Sequence, residues 1–123
     1  MMRLLALDHV QLAMPPGGED RARAFYGGVL GLREVEKPAV LATRGGAWFE
    51  DGLVRVHLGV EQDFRAAKKA HPAFQVSDLP ALAHRLAEAG CDPRPGESLQ
   101  DSERLFVDDP FGNRLEFLEK RVS

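Results

Sequence analysis

Apolar and polar side chains alternate along this chain in short bursts, each closed by a turn signal. Over residues 4–14 the pattern is that of a strand. From His9 onward, His9, Gln11 and Ala13 share one face and Val10, Leu12 and Met14 the other. Pro15-Pro16-Gly17-Gly18 ends it. The period then changes. Ala22, Phe25, Tyr26 and Val29 form one stripe of a helix over about 19–30, with Glu19 and Asp20 in its first turn and Gly31 placed to stop it. Three strands follow: Leu32–Glu36, Ala47–Glu50 after the Gly45-Gly46 turn, and Leu53–Val60. In the last, Val54, Val56 and Leu58 oppose Arg55, His57 and Gly59.

After a polar connector the order restarts. Residues 70–77 alternate, with His71, Ala73 and Gln75 opposite Phe74 and Val76. Asp78 is a helix N-cap with Pro80 just inside, Leu79, Leu82, Ala83 and Leu86 form the apolar stripe, and Gly90 ends the helix. Pro93, Pro95 and Gly96 read as a loop and 103–107 as a strand. The run Asp108-Asp109-Pro110-Phe111-Gly112-Asn113 reads as a tight turn. A final strand over 114–119 sets Leu115 and Phe117 against Arg114, Glu116 and Leu118. The expectation is one domain over 1–123 built from a degenerate duplication: a first unit at about 4–60, a connector at about 61–69 and a second unit at about 70–119, each opening on a strand and helix.

Composition narrows the function classes. At 123 residues, 44% hydrophobic and 28% charged, the chain suits a soluble globular domain. A net charge of −3 without a long basic run speaks against nucleic acid as a partner. The short run Arg65, Lys68, Lys69 reads as a solvated face. The amino-terminal stretch, broken by Asp8 and His9, reads as neither signal peptide nor membrane span, and the single cysteine, Cys91, suits a reducing compartment, so a cytoplasmic location is expected. No basic neighbour activates Cys91 as a nucleophile.

The candidate chemistry lies in the strands. In four of them one face is apolar and the other carries a metal-ligand type: His9, His57, His71 or Glu116. If the two units curl alike, these faces line one cup. Three imidazoles and a carboxylate suit a borderline divalent ion such as Zn, Ni, Fe, Mn or Co. Each also has an ordinary reading. A strand histidine is usually a hydrogen-bonded core residue, and Glu116 could be paired by Arg55 or Arg114 without any metal. Gln11, Arg55, Gln75 and Arg114 share the ligand faces. Trp48, Phe49, Arg44 and Arg104 are candidates for lining the cup or binding an anionic substrate, Trp48 equally for core.

Three segments carry a resemblance. They are Leu7-Asp8-His9-Val10-Gln11-Leu12-Ala13 with Ala24-Phe25-Tyr26 and Leu30-Gly31-Leu32; His71-Pro72-Ala73-Phe74-Gln75-Val76-Ser77-Asp78; and Phe106-Val107-Asp108-Asp109-Pro110-Phe111-Gly112-Asn113-Arg114-Leu115-Glu116-Phe117. Over nearly its whole length the chain resembles the glyoxalase/bleomycin-resistance/extradiol-dioxygenase (vicinal oxygen chelate) superfamily. The resemblance implies an α+β fold of two βαβββ modules forming a cupped mixed sheet. It implies a homodimer, and metal ligands at His9, His57, His71 and Glu116. His57 stands where glyoxalases more often carry Glu or Gln, which departs from the glyoxalase I pattern. His9, His71 and Glu116 alone match the two-His, one-Glu set of epoxide-opening and ring-cleaving members. The fourth histidine, His84, falls on the exposed side of the second helix.

Two functions follow as expectations. The first is a divalent-metal-dependent enzyme of lyase, isomerase or dioxygenase type, acting on a small oxygenated molecule, with Glu116 or His57 moving a proton. Gln11, Trp48, Arg55, Gln75, Arg104 and Arg114 would then contact substrate. The second is a metal-free protein that binds a small molecule or antibiotic, as bleomycin-resistance members do. A site without turnover is a third possibility. The scaffold itself does not choose among them.

Overall fold

The computed structural model describes residues 1–122 and divides into two compact units, Met1–Phe64 and Arg65–Ser123. Each is a βαβββ unit, so the α+β architecture is the one expected.

In the first unit, β1 (Val10–Met14), β2 (Arg33–Val35), β3 (Ala47–Asp51) and β4 (Val54–Val60) form a sheet of order β1-β4-β3-β2, with β1 parallel to β4 and the other pairs antiparallel. Leu12, Met14, Ala47, Phe49, Val56 and Leu58 are buried on one face. They share the unit's core with Ala22, Phe25 and Tyr26 of the helix, and the Tyr26 and Phe49 rings stack at 5.7 Å. Phe49 is therefore core and not a cup-lining residue; strand parity sends its neighbour Trp48 to the other face.

The expected strand over 4–14 begins only at Val10. The parallel register Val10↔Val56 explains why: residues before Asp8 would face the turn that precedes β4, which offers no ladder to pair with. Leu4, Leu5 and Leu7 are exposed in consequence. The expected helix is α1 (Glu19–Ala22) continued by a π-helical stretch, Arg23–Val29. The widened turn contains Gly27 and Gly28, a pair that lowers α-helix propensity. Gly31, at φ +79°, ends it as expected. A 3₁₀ segment, Ala39–Arg44, lies where no periodicity signalled an element.

The second unit repeats the topology. β5 (Ala73–Gln75), β6 (Arg94–Pro95), β7 (Ser102–Asp108) and β8 (Arg114–Lys120) run in the order β5-β8-β7-β6. Arg94–Pro95, expected as loop, is a two-residue edge strand, a sheet position where a proline's missing N–H is tolerated. In α2 (Leu79–Glu88), Asp78 accepts from Ala81 N at 3.0 Å as the N-cap, and Glu119 accepts from Leu79 N at 2.7 Å. Leu79, Leu86, Leu105, Val107, Leu115 and Phe117 are the buried core.

The turn before β8 explains its composition. Asp109 Oδ1 accepts from the N–H groups of Phe111 and Asn113, both at 2.9 Å, and its Oδ2 accepts from the Asn113 amide at 3.0 Å. Asn113 Oδ1 accepts from Ala67 N at 3.0 Å, and Arg114 N donates to Ala67 O at 2.9 Å. Lys68, exposed as expected, also donates to Gly112 O at 2.8 Å. Glu116 N then donates to Pro72 O at 3.1 Å. The turn thus clamps residues 67–72 beside β8, which fixes His71 against Glu116.

Candidate functional site

Each unit brings together one pair of the expected ligands. In the first, the register places Gln11, His57 and Trp48 in one row across β1, β4 and β3. The indole of Trp48 lies parallel to His57, with ring centroids 3.7 Å apart. His9, just before β1, stacks on His57 at 4.1 Å. The three rings form a column with His57 in the middle, only 7% exposed. Asp8 links this column, through His9, to Arg55 of β4. Its carboxylate accepts from His9 Nδ1 at 3.0 Å and from Arg55 at 3.0 Å. Those two contacts, the His9 hydrogen bond first, hold the Asp8 carboxyl below its usual pKa. With Nδ1 donating to Asp8, the neutral form of the His9 ring presents Nε2 as a lone pair.

Burial pushes the His57 pKa down, and the nearby His9 adds to the effect, against opposing pulls from Asp8 and Glu50. His57 is therefore a neutral imidazole at neutral pH. The consequence for stability has a definite sign. The unfolded chain binds a proton at position 57 near pH 6.5, and the native state resists it. The contribution is complete above pH 6.5 and is lost as pH falls from there toward the folded value. The Asp8 contribution is lost only at lower pH, below about 3.8. Urea unfolding of metal-stripped protein at pH 7.5 and 5.5 will show a loss of stability on acidification that is smaller in His57→Gln. An equal loss in both would contradict this assignment.

In the second unit, His71 precedes β5 instead of sitting within it, because pairing with β8 starts at Ala73↔Glu116. His71 Nδ1 lies 2.8 Å from Lys69 O, and a carbonyl can only accept, so Nδ1 carries a proton. Nε2 lies 2.9 Å from Glu116 Oε1. In the neutral ring that places two lone pairs face to face, an arrangement relieved by a proton or by a cation held between them. Glu116 is 7% exposed, and its Oε2 lies 3.5 Å from Arg104.

Arg104, and neither Arg55 nor Arg114, is thus the guanidinium beside Glu116. Arg55 is engaged with Asp8, and Arg114 lies over the Phe106 ring at 4.3 Å. Arg104 lies over the same ring at 5.2 Å, and His71 meets its edge at 5.6 Å. Phe106 organises this cluster and was missed because nothing in the alternation of 103–107 marks it as more than a strand residue. Asp8 was missed as an orienting residue, although its place directly before His9 was a readable signal. Gln75 is exposed and pairs with Leu118, one repeat beyond Glu116. His84 is an exposed i,i+4 partner of Glu88, and burial pushes the Cys91 thiol up, away from nucleophile behaviour.

Among the described residues no group of three or more His, Cys, Asp or Glu side chains is gathered as one metal cluster. The donors come as a pair in each unit. Donors bound to one divalent ion at about 2.0–2.2 Å stand about 2.9–3.5 Å apart, so the spacing and tautomer of His71 and Glu116 fit such an ion. A cavity of the second unit, about 760 Å³, is lined by residues such as Leu79, Ala83 and Leu105 and includes neither His71 nor Glu116.

Residues 6–117 match the model of the Glyoxalase/Bleomycin resistance protein/Dioxygenase superfamily. A solved glyoxalase family protein from Bacillus anthracis is 44% identical, with 98% of this chain and 99% of that one covered and a TM-score of 0.94. The fold is shared at lower identity by a lactoylglutathione lyase from Agrobacterium tumefaciens (20% identity, 95% of each chain, TM-score 0.74). It is shared also by the fosfomycin resistance protein FosX from Mesorhizobium loti (19% identity, 98% and 96%, TM-score 0.72). No curated protein matches the chain.

Proposed function

The chain belongs to the Glyoxalase/Bleomycin resistance protein/Dioxygenase superfamily, and on that premise we propose that it is a divalent-metal-dependent enzyme acting on a small oxygenated molecule. His9, His57, His71 and Glu116 are the proposed ligands. The observation that carries the reading is the His71–Glu116 pair, an imidazole with its Nδ1 proton tied to Lys69 O and its Nε2 turned to a buried carboxylate 2.9 Å away. When bound, a divalent ion supplies Lewis-acid polarisation of adjacent substrate oxygens.

The chain's own residues have separable tasks. Asp8 fixes the His9 ring, and Lys69 O fixes His71. Arg104 neutralises part of the Glu116 charge and holds its second oxygen. His57, kept neutral by burial, has a lone pair to offer an ion or a proton. Glu116 is the other candidate to move a proton. Gln11 and Trp48, in the His57 row, and Arg114, over Phe106, are the proposed substrate contacts, with Gln75 and Arg55 at their margins. The superfamily's habit of pairing copies supports a homodimer as the working form.

Metal content by plasma mass spectrometry, on protein without a polyhistidine tag, tests the reading. One ion per ligand set, lost in His71→Ala, is the expected result. No metal in wild type after incubation with manganese, zinc, nickel, cobalt or ferrous iron would defeat it. The function would then pass to metal-free ligand binding, for which the Trp48–His57–His9 column is a ready aromatic platform.

A further inference from the structure

The first unit contains a small polar cavity beside the segment that no periodicity signalled. Its volume is about 240 Å³, and Gln11, Lys37, Leu41, Arg44, Trp48 and Val60 are among its walls. Two cations line it and no carboxylate does. Lys37 stands just before the 3₁₀ segment and donates to Gly45 O, which ties the ammonium to the rim. Arg44 ends that segment, is exposed, and has no ion-pair partner among the described residues. Glu19, the carboxylate beside the Gly45-Gly46 turn, is taken up by Gly46 N at 2.8 Å and is not part of the lining. On the opposite wall Gly59 leaves room for the Gln11 amide, whose nitrogen would lie 2.6 Å from a Cβ at that position.

A guanidinium with its donors free, an ammonium, a carboxamide and an indole around a small hollow make a receptor for a planar or tetrahedral oxyanion. The guanidinium fork suits two acceptor oxygens at once, and the ammonium adds a point charge. The hollow is smaller than a typical drug-sized pocket, so it suits an anionic group more than a whole ligand. Trp48 is shared between this hollow and the stack on His57, which joins the two features within one unit. We propose that this cavity is a subsite for the carboxylate or phosphoryl group of a small anionic ligand, with Arg44 and Lys37 as the binding residues. The inference deepens the enzyme reading by giving the substrate a charge, yet it stands on the first unit alone and needs no metal.

Trp48 is the chain's single tryptophan, so its emission reports on this cavity without labelling. The experiment is a fluorescence titration of EDTA-stripped, untagged full-length protein with inorganic phosphate and, separately, acetate, against sodium chloride at equal ionic strength. The expected result is a saturable change with at least one oxyanion and none with chloride. Saturation by phosphate alone assigns a phosphoryl group, and by acetate alone a carboxylate. Arg44→Met and Lys37→Met should each weaken binding at least tenfold, while Arg3→Met leaves it unchanged. Arg44 is exposed, so its truncation should preserve the thermal midpoint, which separates lost binding from lost fold. Absence of saturation with both anions, or equal affinity in wild type and Arg44→Met, would overturn the proposal. Because the protein is stripped, failure of the metal reading leaves this result untouched, and failure here leaves the metal content untouched.

Discussion

Glu116→Gln will weaken divalent-ion binding at least about 100-fold, equivalent to about 2.7 kcal/mol, while moving the thermal midpoint of the metal-stripped protein by less than about 4 °C. The two halves of this expectation have one cause. Glutamine keeps the shape of a side chain that is only 7% exposed, and its amide can still donate to His71 Nε2 and accept from Arg104. What it loses is the negative charge and the anionic oxygen that a cation requires. Alanine would be a poorer test. It would leave Arg104 without its carboxylate and open a cavity, so lost metal and lost packing would be confounded. Calorimetric titration with manganese or zinc reads the first half, and differential scanning calorimetry the second. Unchanged affinity would remove Glu116 from the ligand set. A collapse of the midpoint would make it a structural residue first.

Gly46→Ala carries the largest expected cost to the fold, about 4 kcal/mol or more. Gly46 sits at φ +82°, and a Cβ there would lie 2.0 Å from Leu58 O. That obstacle is the backbone of β4, the strand bearing His57, and it cannot rotate aside like a flexible side chain. The turn must therefore move, taking Arg44 and the start of β3 with it, or the residue must leave the left-handed region. Gly28→Ala is the matching control. Its Cβ would meet nothing within 4 Å and its φ is ordinary, so it should cost nothing and can gain a few tenths of a kcal/mol. Urea denaturation of both variants checks this. A cost below about 1 kcal/mol at Gly46 would mean that the turn is far more plastic than its geometry implies.

The features readable in the sequence were those that local periodicity controls. Phe25 and Tyr26 lie in a helical stripe, Val56 and Leu58 lie opposite His57, and Leu115 and Phe117 share a face, all from patterns within ten residues. The turn over 108–113 was readable as a turn, but its clamp on Ala67 was not, because that contact joins residues distant in sequence. The same reason hid the true partner of Glu116. Arg55 and Arg114 share strand parity with candidate ligands, yet the antiparallel register of β7 and β8, which sets Phe106 against Glu116, is what places Arg104 within 3.5 Å of the carboxylate. The early half of the expected first strand does not form for a related reason. Alternation gives a segment the means to be a strand, but only a ladder partner makes it one, and β4 ends too soon in that direction. Lys37 gave no signal at all, since a lone lysine before a proline has no period to break.

The central claim is that His71 and Glu116 are ligands of a divalent ion, and it is met most directly by an anomalous difference map from crystals of untagged protein grown with manganese. The account predicts a strong peak about 2.0–2.3 Å from a carboxylate oxygen of Glu116 and from Nε2 of His71. No peak at Glu116 in crystals soaked to saturation, or a peak held by other side chains, would contradict it.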